Sequence, residues 1–154
     1  MGTAAGRHSA KVGAYYAHPG NRFWRTLHEV GLTPRLYQPH EYRLLLDLGI
    51  GFTDVAKRAA GMDHQIAAEA FDPTGFAAKV ELFRPRIVAF TGKRAASYWL
   101  GMRTQKIPFG RRQPSSATAP VAYVLPSPSG LAARFWSAEP WQALAAELAS
   151  VTAN

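Results

Sequence analysis

Arg86-Ile87-Val88-Ala89-Phe90-Thr91-Gly92 is the stretch that decides the fold class. Its centre is apolar without interruption and bounded by polar residues and glycine. That is the pattern of a strand covered on both faces, not of one with a wet side. Residues 93–100 return to helical spacing and stop at Gly101. Upstream, Asp72-Pro73 reads as cap and first turn of a helix that runs to Phe83, with Phe76, Val80 and Phe83 on one face. A helix, a buried strand and another helix in succession point to an α/β domain.

The same alternation continues outward. Val121-Ala122-Tyr123-Val124-Leu125 is a second buried-type strand, and the polar, basic residues 102–120 between the two strands read as a long loop. A last helix, capped near Ser137, carries Trp141, Leu144, Leu148 and Val151. Towards the N-terminus, Phe23, Trp24, Leu27 and Val30 mark a helix stopped by Gly31. Another starts near Pro39, turns Tyr42, Leu45 and Leu46 inward and ends by Gly49. Ile50-Gly51-Phe52-Thr53-Asp54-Val55 is extended, and residues 62–71 carry a short helical pattern. The expectation is one domain over residues 1–154, a three-layer α/β/α arrangement with a mainly parallel central sheet.

Composition narrows the partners. With 154 residues, 47% of them hydrophobic, the chain can bury a real core. It has no cysteine and five scattered histidines, so neither a disulfide scaffold nor a metal site is expected, and no cofactor is indicated. No apolar run reaches bilayer-spanning length and no signal-peptide pattern opens the chain, so a cytoplasmic protein with no membrane partner is expected. The net charge of +8 and pI of about 10.2 favour a polyanion, with nucleic acid ahead of a membrane surface.

In such sheets ligands bind beyond the carboxyl ends of the strands. The loops placed there are residues 2–20, Thr53-Asp54 and residues 127–134. The first contains Ala14-Tyr15-Tyr16-Ala17-His18-Pro19-Gly20-Asn21-Arg22-Phe23-Trp24. It is dense in aromatics, turns at His18-Pro19-Gly20, and offers Asn21 as a helix cap. A flat ring at Tyr16 beside a helix start suits a planar ligand; a core-forming aromatic cluster is the competing reading. The opening Met1-Gly2-Thr3-Ala4-Ala5-Gly6 has phosphate-loop composition but lacks the Gly-Lys-Ser/Thr ending, which argues against a nucleotide-triphosphate site.

Four segments together resemble the mismatch-specific uracil-DNA and thymine-DNA glycosylases of the uracil-DNA glycosylase superfamily. They are His18-Pro19-Gly20-Asn21-Arg22-Phe23-Trp24, Gly49-Ile50-Gly51-Phe52-Thr53-Asp54, Pro85-Arg86-Ile87-Val88-Ala89-Phe90-Thr91-Gly92-Lys93 and Val124-Leu125-Pro126-Ser127-Pro128-Ser129-Gly130-Leu131. The resemblance implies a monofunctional hydrolase that flips uracil out of double-stranded DNA, U:G mismatches first, and leaves an abasic site. A monomer is expected. By the same resemblance, Gly2, Thr3, Ala4 and Gly6 lie where the family's Gly-Ile-Asn-Pro-Gly loop holds the base and the attacking water. Tyr16 lies where an aromatic ring stacks on the base, and Asn21 and Phe23 complete the base-binding set. Gly130, Leu131 and Ala132 lie on the wedge that fills the vacated space, and Ser129 and Arg134 where phosphate contacts are made.

Departures from the family pattern matter as much. Ala4 replaces the asparagine and Ala5 the proline beside it, and Ser127 replaces the asparagine or histidine of the last motif. Relatives also have a full central strand before the first loop, and Met1 stands where that strand would end, leaving open how the sheet is completed. The candidate catalytic residues are therefore Asp54, His18 and Ser127. Asp54 could accept the uracil N3–H, orient water or stabilise positive charge on the sugar, or simply cap a turn. His18 could donate to the base or hold its own turn. A catalytically weak or inactive binder of abasic or mismatched DNA is the alternative function, supported by Ala4. A nucleotide-binding protein using residues 2–13 is a third reading.

Overall fold

The computed structural model describes residues 1–2, 5–56 and 71–152. Thr3, Ala4 and, apart from Phe71, the helical pattern expected over residues 62–71 lie outside that set. The helices are α1 (Arg7–Val12), α2 (Phe23–Glu29), α3 (Pro73–Phe83), α4 (Lys93–Leu100) and α5 (Glu139–Thr152), and the strands are β1 (Ile87–Phe90), β2 (Gly110–Arg112) and β3 (Val121–Val124). Two longer 3-10 segments, Pro39–Leu48 and Gly130–Phe135, complete the frame.

The strands form one sheet in the order β1-β3-β2, with β1 parallel and β2 antiparallel to β3. It is a mixed sheet, where a mainly parallel one was expected. β2 falls inside the 102–120 segment read as loop. Three residues with two arginines give no alternation to recognise; the strand exists because its backbone pairs with β3 and Arg111 reaches Glu147 of α5 (Nε–Oε2 3.0 Å).

Period-two alternation sends β3 side chains to opposite faces. Ala122 and Val124 join Phe76 of α3 and Ala95 and Ala96 of α4 in one apolar cluster. Tyr123 and Leu125 join Phe23, Trp24 and Leu27 of α2, Leu45, and Trp141 and Leu144 of α5 in the other. Truncating a buried ring such as Phe76 in such packing costs about 3–5 kcal/mol.

Residues 1 and 2 settle how the sheet continues past β1. The Met1 carbonyl accepts from Thr91 N (2.8 Å), Gly2 N donates to Thr53 O (3.1 Å), and Val55 N donates to Gly2 O (3.2 Å). Gly2 and Asp54 thus form a parallel bridge, and residues 1–2 sit between β1 and the extended 53–55 segment.

Three other expectations need correction. Residues 7–12 form helix α1, not loop: Gly6 precedes it and Gly13 (φ 68) ends it in the left-handed conformation that favours glycine. Leu46 is 63% exposed, because a 3-10 helix repeats every three residues and keeps only Tyr42 and Leu45 inward. Phe83 is 74% exposed, since it ends α3 where Arg84 (φ 45) reverses the chain towards β1. No described helix is long and apolar enough to cross a membrane.

Arg35 grips Glu41 with both guanidinium nitrogens (2.7 and 3.2 Å), and the Glu41 carboxylate also accepts from Gln38 N (2.8 Å) at the start of the Pro39–Leu48 segment. The Arg35 hydrogen bonds, then that of Gln38, pull the Glu41 pKa from 4.5 to about 2. A carboxyl whose pKa is lower folded than unfolded stabilises above the unfolded value and loses that stabilisation as pH falls. Melting temperature against pH will show a steeper decline for wild type than for Glu41→Gln between pH 4.5 and about 2; equal slopes contradict this reading.

Candidate functional site

The site grows from the strand ends. Tyr16 has φ 52, a left-handed conformation uncommon for a bulky side chain and costing about 1–3 kcal/mol. Several contacts hold it there. Its ring stacks on Phe23 (centroids 3.8 Å apart, 17° between planes) and its hydroxyl lies 2.9 Å from Thr91 Oγ1. Thr91 has one hydroxyl proton and donates it to Met1 O (3.1 Å), so Tyr16 is the donor to Thr91. Next to it, Ala17 N donates to the buried Ser9 Oγ of α1 (2.9 Å).

Asp54 is buried beside this ring. A Cβ at Gly2 would stand 2.6 Å from Asp54 Oδ1 and 3.4 Å from the Tyr16 hydroxyl, so those two groups crowd the Gly2 backbone. Burial first, and the Asp54 charge second, push the Tyr16 pKa well above the ordinary phenol value. The phenol stays neutral at physiological pH. Gly2, Tyr16, Asp54 and Thr91 therefore form one compact cluster at the carboxyl end of β1, and Tyr16 retains partial exposure.

A second set of contacts carries the chain from this cluster to the last motif. Asn21 Oδ1 accepts from Phe23 N (2.9 Å) in the turn that leads into α2, but the residue at the N-cap is Arg22 and not Asn21 as expected. Arg22 N donates to Pro128 O (3.0 Å), and the Arg22 guanidinium lies 4.7 Å from the Trp136 ring centroid. A Cβ at Gly130 would come within 3.0 Å of Gly20 O, so the two turns touch backbone to backbone. Within the last motif, Ser127 Oγ accepts from Ser129 N and Ser129 Oγ from Leu131 N (both 3.3 Å). These bonds shape a turn from which Leu131 projects 80% exposed, with Ala132 half-buried and Arg134 exposed beside it.

His18 accepts from Gly20 N through Nδ1 (3.0 Å) and meets His8 edge to face, so its ring is engaged in its own exposed turn. Phe23 is 4% exposed and backs Tyr16 from the core side. Gly6, expected in the base-binding loop, is exposed at the start of α1. Thr91 is the contributor that sequence reasoning passed over, although its place at the end of a buried strand was a usable signal. Among the described residues, no group of three His, Asp or Glu side chains is placed to hold a metal.

The family model described as Uracil DNA glycosylase superfamily matches residues 1–148. The chain belongs to that superfamily. Membership of the uracil-DNA glycosylase superfamily suggests a DNA glycosylase, a hydrolase whose partner is DNA. It says nothing of the subfamily or the preferred base.

The crowding at Gly2 can be measured. Gly2→Ala will lower stability by about 1–3 kcal/mol in denaturant unfolding, the usual cost of overpacking. Asp54→Ala in the same chain will restore part of that loss, because the clash is with Asp54 Oδ1. Additive losses in the double variant would place the strain elsewhere.

Proposed function

We propose that this protein removes uracil from DNA by hydrolysing the N-glycosidic bond, acts best on U:G mismatches, and leaves an abasic site without cutting the strand. The observation that carries the reading is the meeting of a constrained aromatic ring (Tyr16), a buried carboxylate (Asp54) and the Gly2 backbone at the strand ends. The exposed Leu131 stands on the turn packed against the neighbouring loop. Two apolar clusters on opposite faces of β3 support the three-layer arrangement the family resemblance implies.

Tyr16 is the platform for the extruded base; stacking of a base on an aromatic ring contributes about 1–3 kcal/mol. Its hydroxyl is spent on Thr91, so the ring offers a face and not a donor. Leu131 occupies the space the base leaves, and Ser129 and Arg134 meet the flanking phosphates. A mismatched base costs least to unstack, which favours U:G. Bond cleavage leaves positive charge on the sugar and negative charge on the uracil, and preorganised backbone N–H donors are the means of stabilising the latter. Asp54 replaces the asparagine that Ala4 lacks, positioning water on the sugar side, where its charge favours the cationic carbon.

A second reading keeps the fold and the DNA contacts but loses turnover, and Ala4 is the feature that favours it. Tight binding to abasic DNA without uracil release would decide for it.

Uracil release from a U:G duplex, followed by alkali cleavage of abasic sites, tests the proposal. Wild type yields alkali-dependent strand cuts, and Asp54→Ala loses about 10²–10⁴ in rate, the usual contribution of a positioned general base. Full activity in Asp54→Asn would remove Asp54 from that role. Tyr16→Ala raises KM more than it lowers kcat, as expected for a lost stacking platform.

A further inference from the structure

Behind the Leu131 turn lies a cavity of about 470 Å³ that shares only Ser127 and Ala132 with the residues assigned above to uracil and its DNA. Its walls come from Lys93 and Arg94 at the start of α4, Phe109 ahead of β2, and Ala132 and Phe135 of the Gly130–Phe135 segment. We infer that this cavity receives an unpaired nucleotide next to the lesion on the same strand, an inference that rests on DNA being the partner.

Both halves of a nucleotide find their chemistry here. Phe109 and Phe135 are 38% and 59% exposed, an unusual amount of aromatic surface to leave in water beside one cavity. Each carries a cation: Lys93 Nζ lies 4.4 Å from the Phe109 centroid, and the Arg134 guanidinium 4.5 Å from that of Phe135. Arg94 Nε is buried and has no hydrogen-bond partner among the described residues. α4 starts without a side-chain cap and without an acidic residue in its first turn. Exposed rings interleaved with cations are how single strands are held, bases on the rings and phosphates on the charges. The size falls within the range of about 300–1,000 Å³ typical of small-ligand pockets.

Position supports the same occupant. Gly92, which lines the cavity, follows Thr91, which anchors Tyr16; Ser127 and Ala132 belong to both the cavity and the turn that carries Leu131. A base stacked inside a duplex cannot enter, so the nucleotide must be unpaired. Locally melted or single-stranded flanks are therefore the preferred context.

Binding separates this inference from catalysis. Fluorescence anisotropy with a short uracil-free oligothymidine, and with the corresponding fully paired duplex, is measured on wild type, Phe109→Leu and Phe135→Leu. These variants keep apolar bulk and remove the ring, and their melting temperatures report on folding. The inference expects each variant to lose about fivefold or more in single-strand affinity, with duplex affinity unchanged. Single-strand affinity equal to that of wild type, or parallel losses on both DNAs, would overturn it. Uracil release from a U:G duplex by the same samples reports separately on the glycosylase reading, because the oligothymidine carries no uracil.

Discussion

Three backbone hydrogen bonds around residues 1 and 2 hold the candidate site together. They join Met1 to Thr91 and Gly2 to Thr53 and Val55, bringing the end of β1 next to the 53–55 segment. A Cβ at position 2 would stand 2.6 Å from Asp54 Oδ1, so any residue but glycine forces that carboxylate to shift. Through this narrow seam, Asp54, Thr91 and Tyr16 come from parts of the chain far apart in sequence and meet around one backbone. Tyr16 then keeps a strained conformation because stacking on Phe23 and the bond to Thr91 leave its ring little alternative.

The aromatic turn and the Leu131 turn are fastened to each other as firmly as each is to the core. Gly20 and Gly130 make backbone contact, Arg22 bonds to Pro128, and Trp141 of α5 donates through Nε1 to Pro126 O (3.2 Å). Pro126 and Pro128 are among the most fully buried side chains. A side chain such as Leu131 on such a base is preorganised, and little ordering entropy remains to oppose contact with a partner.

Charge is distributed unevenly over these parts. Arg35 and Arg111 are engaged by Glu41 and Glu147, and the Tyr123 hydroxyl also donates to Glu147, so that part of the basic surface is structural. Lys93 and Arg134 instead lie against the exposed rings of Phe109 and Phe135 near the Leu131 turn, while Arg94 lies over the buried Phe71 ring. The formal excess of +8 thus includes a cationic-aromatic surface next to the cluster, suited to tracking a phosphate backbone.

Local chemistry alone determined the buried strands, the helices with strong periodicity and their caps. Asp72 accepts from Gly75 N, Asn21 from Phe23 N in the turn before α2 and Ser137 from Glu139 N, each because a short polar side chain serves the nearest free backbone N–H. The Tyr16 turn was legible because turn residues and an aromatic run declare themselves within a few positions, whereas Asp54 and Leu131 were singled out by the resemblance to the glycosylases. β2, the inward role of Thr91 and the burial of Phe23 behind Tyr16 were decided only by tertiary structure. Local pattern marks a strand end and an apolar helix face but not what meets them: a three-residue edge strand forms because β3 offers it partners, and a threonine becomes an anchor because Met1 and Tyr16 arrive beside it. Exposure of Leu46 and Phe83 follows the same logic, since periodicity says which residues share a face and packing alone says what covers it.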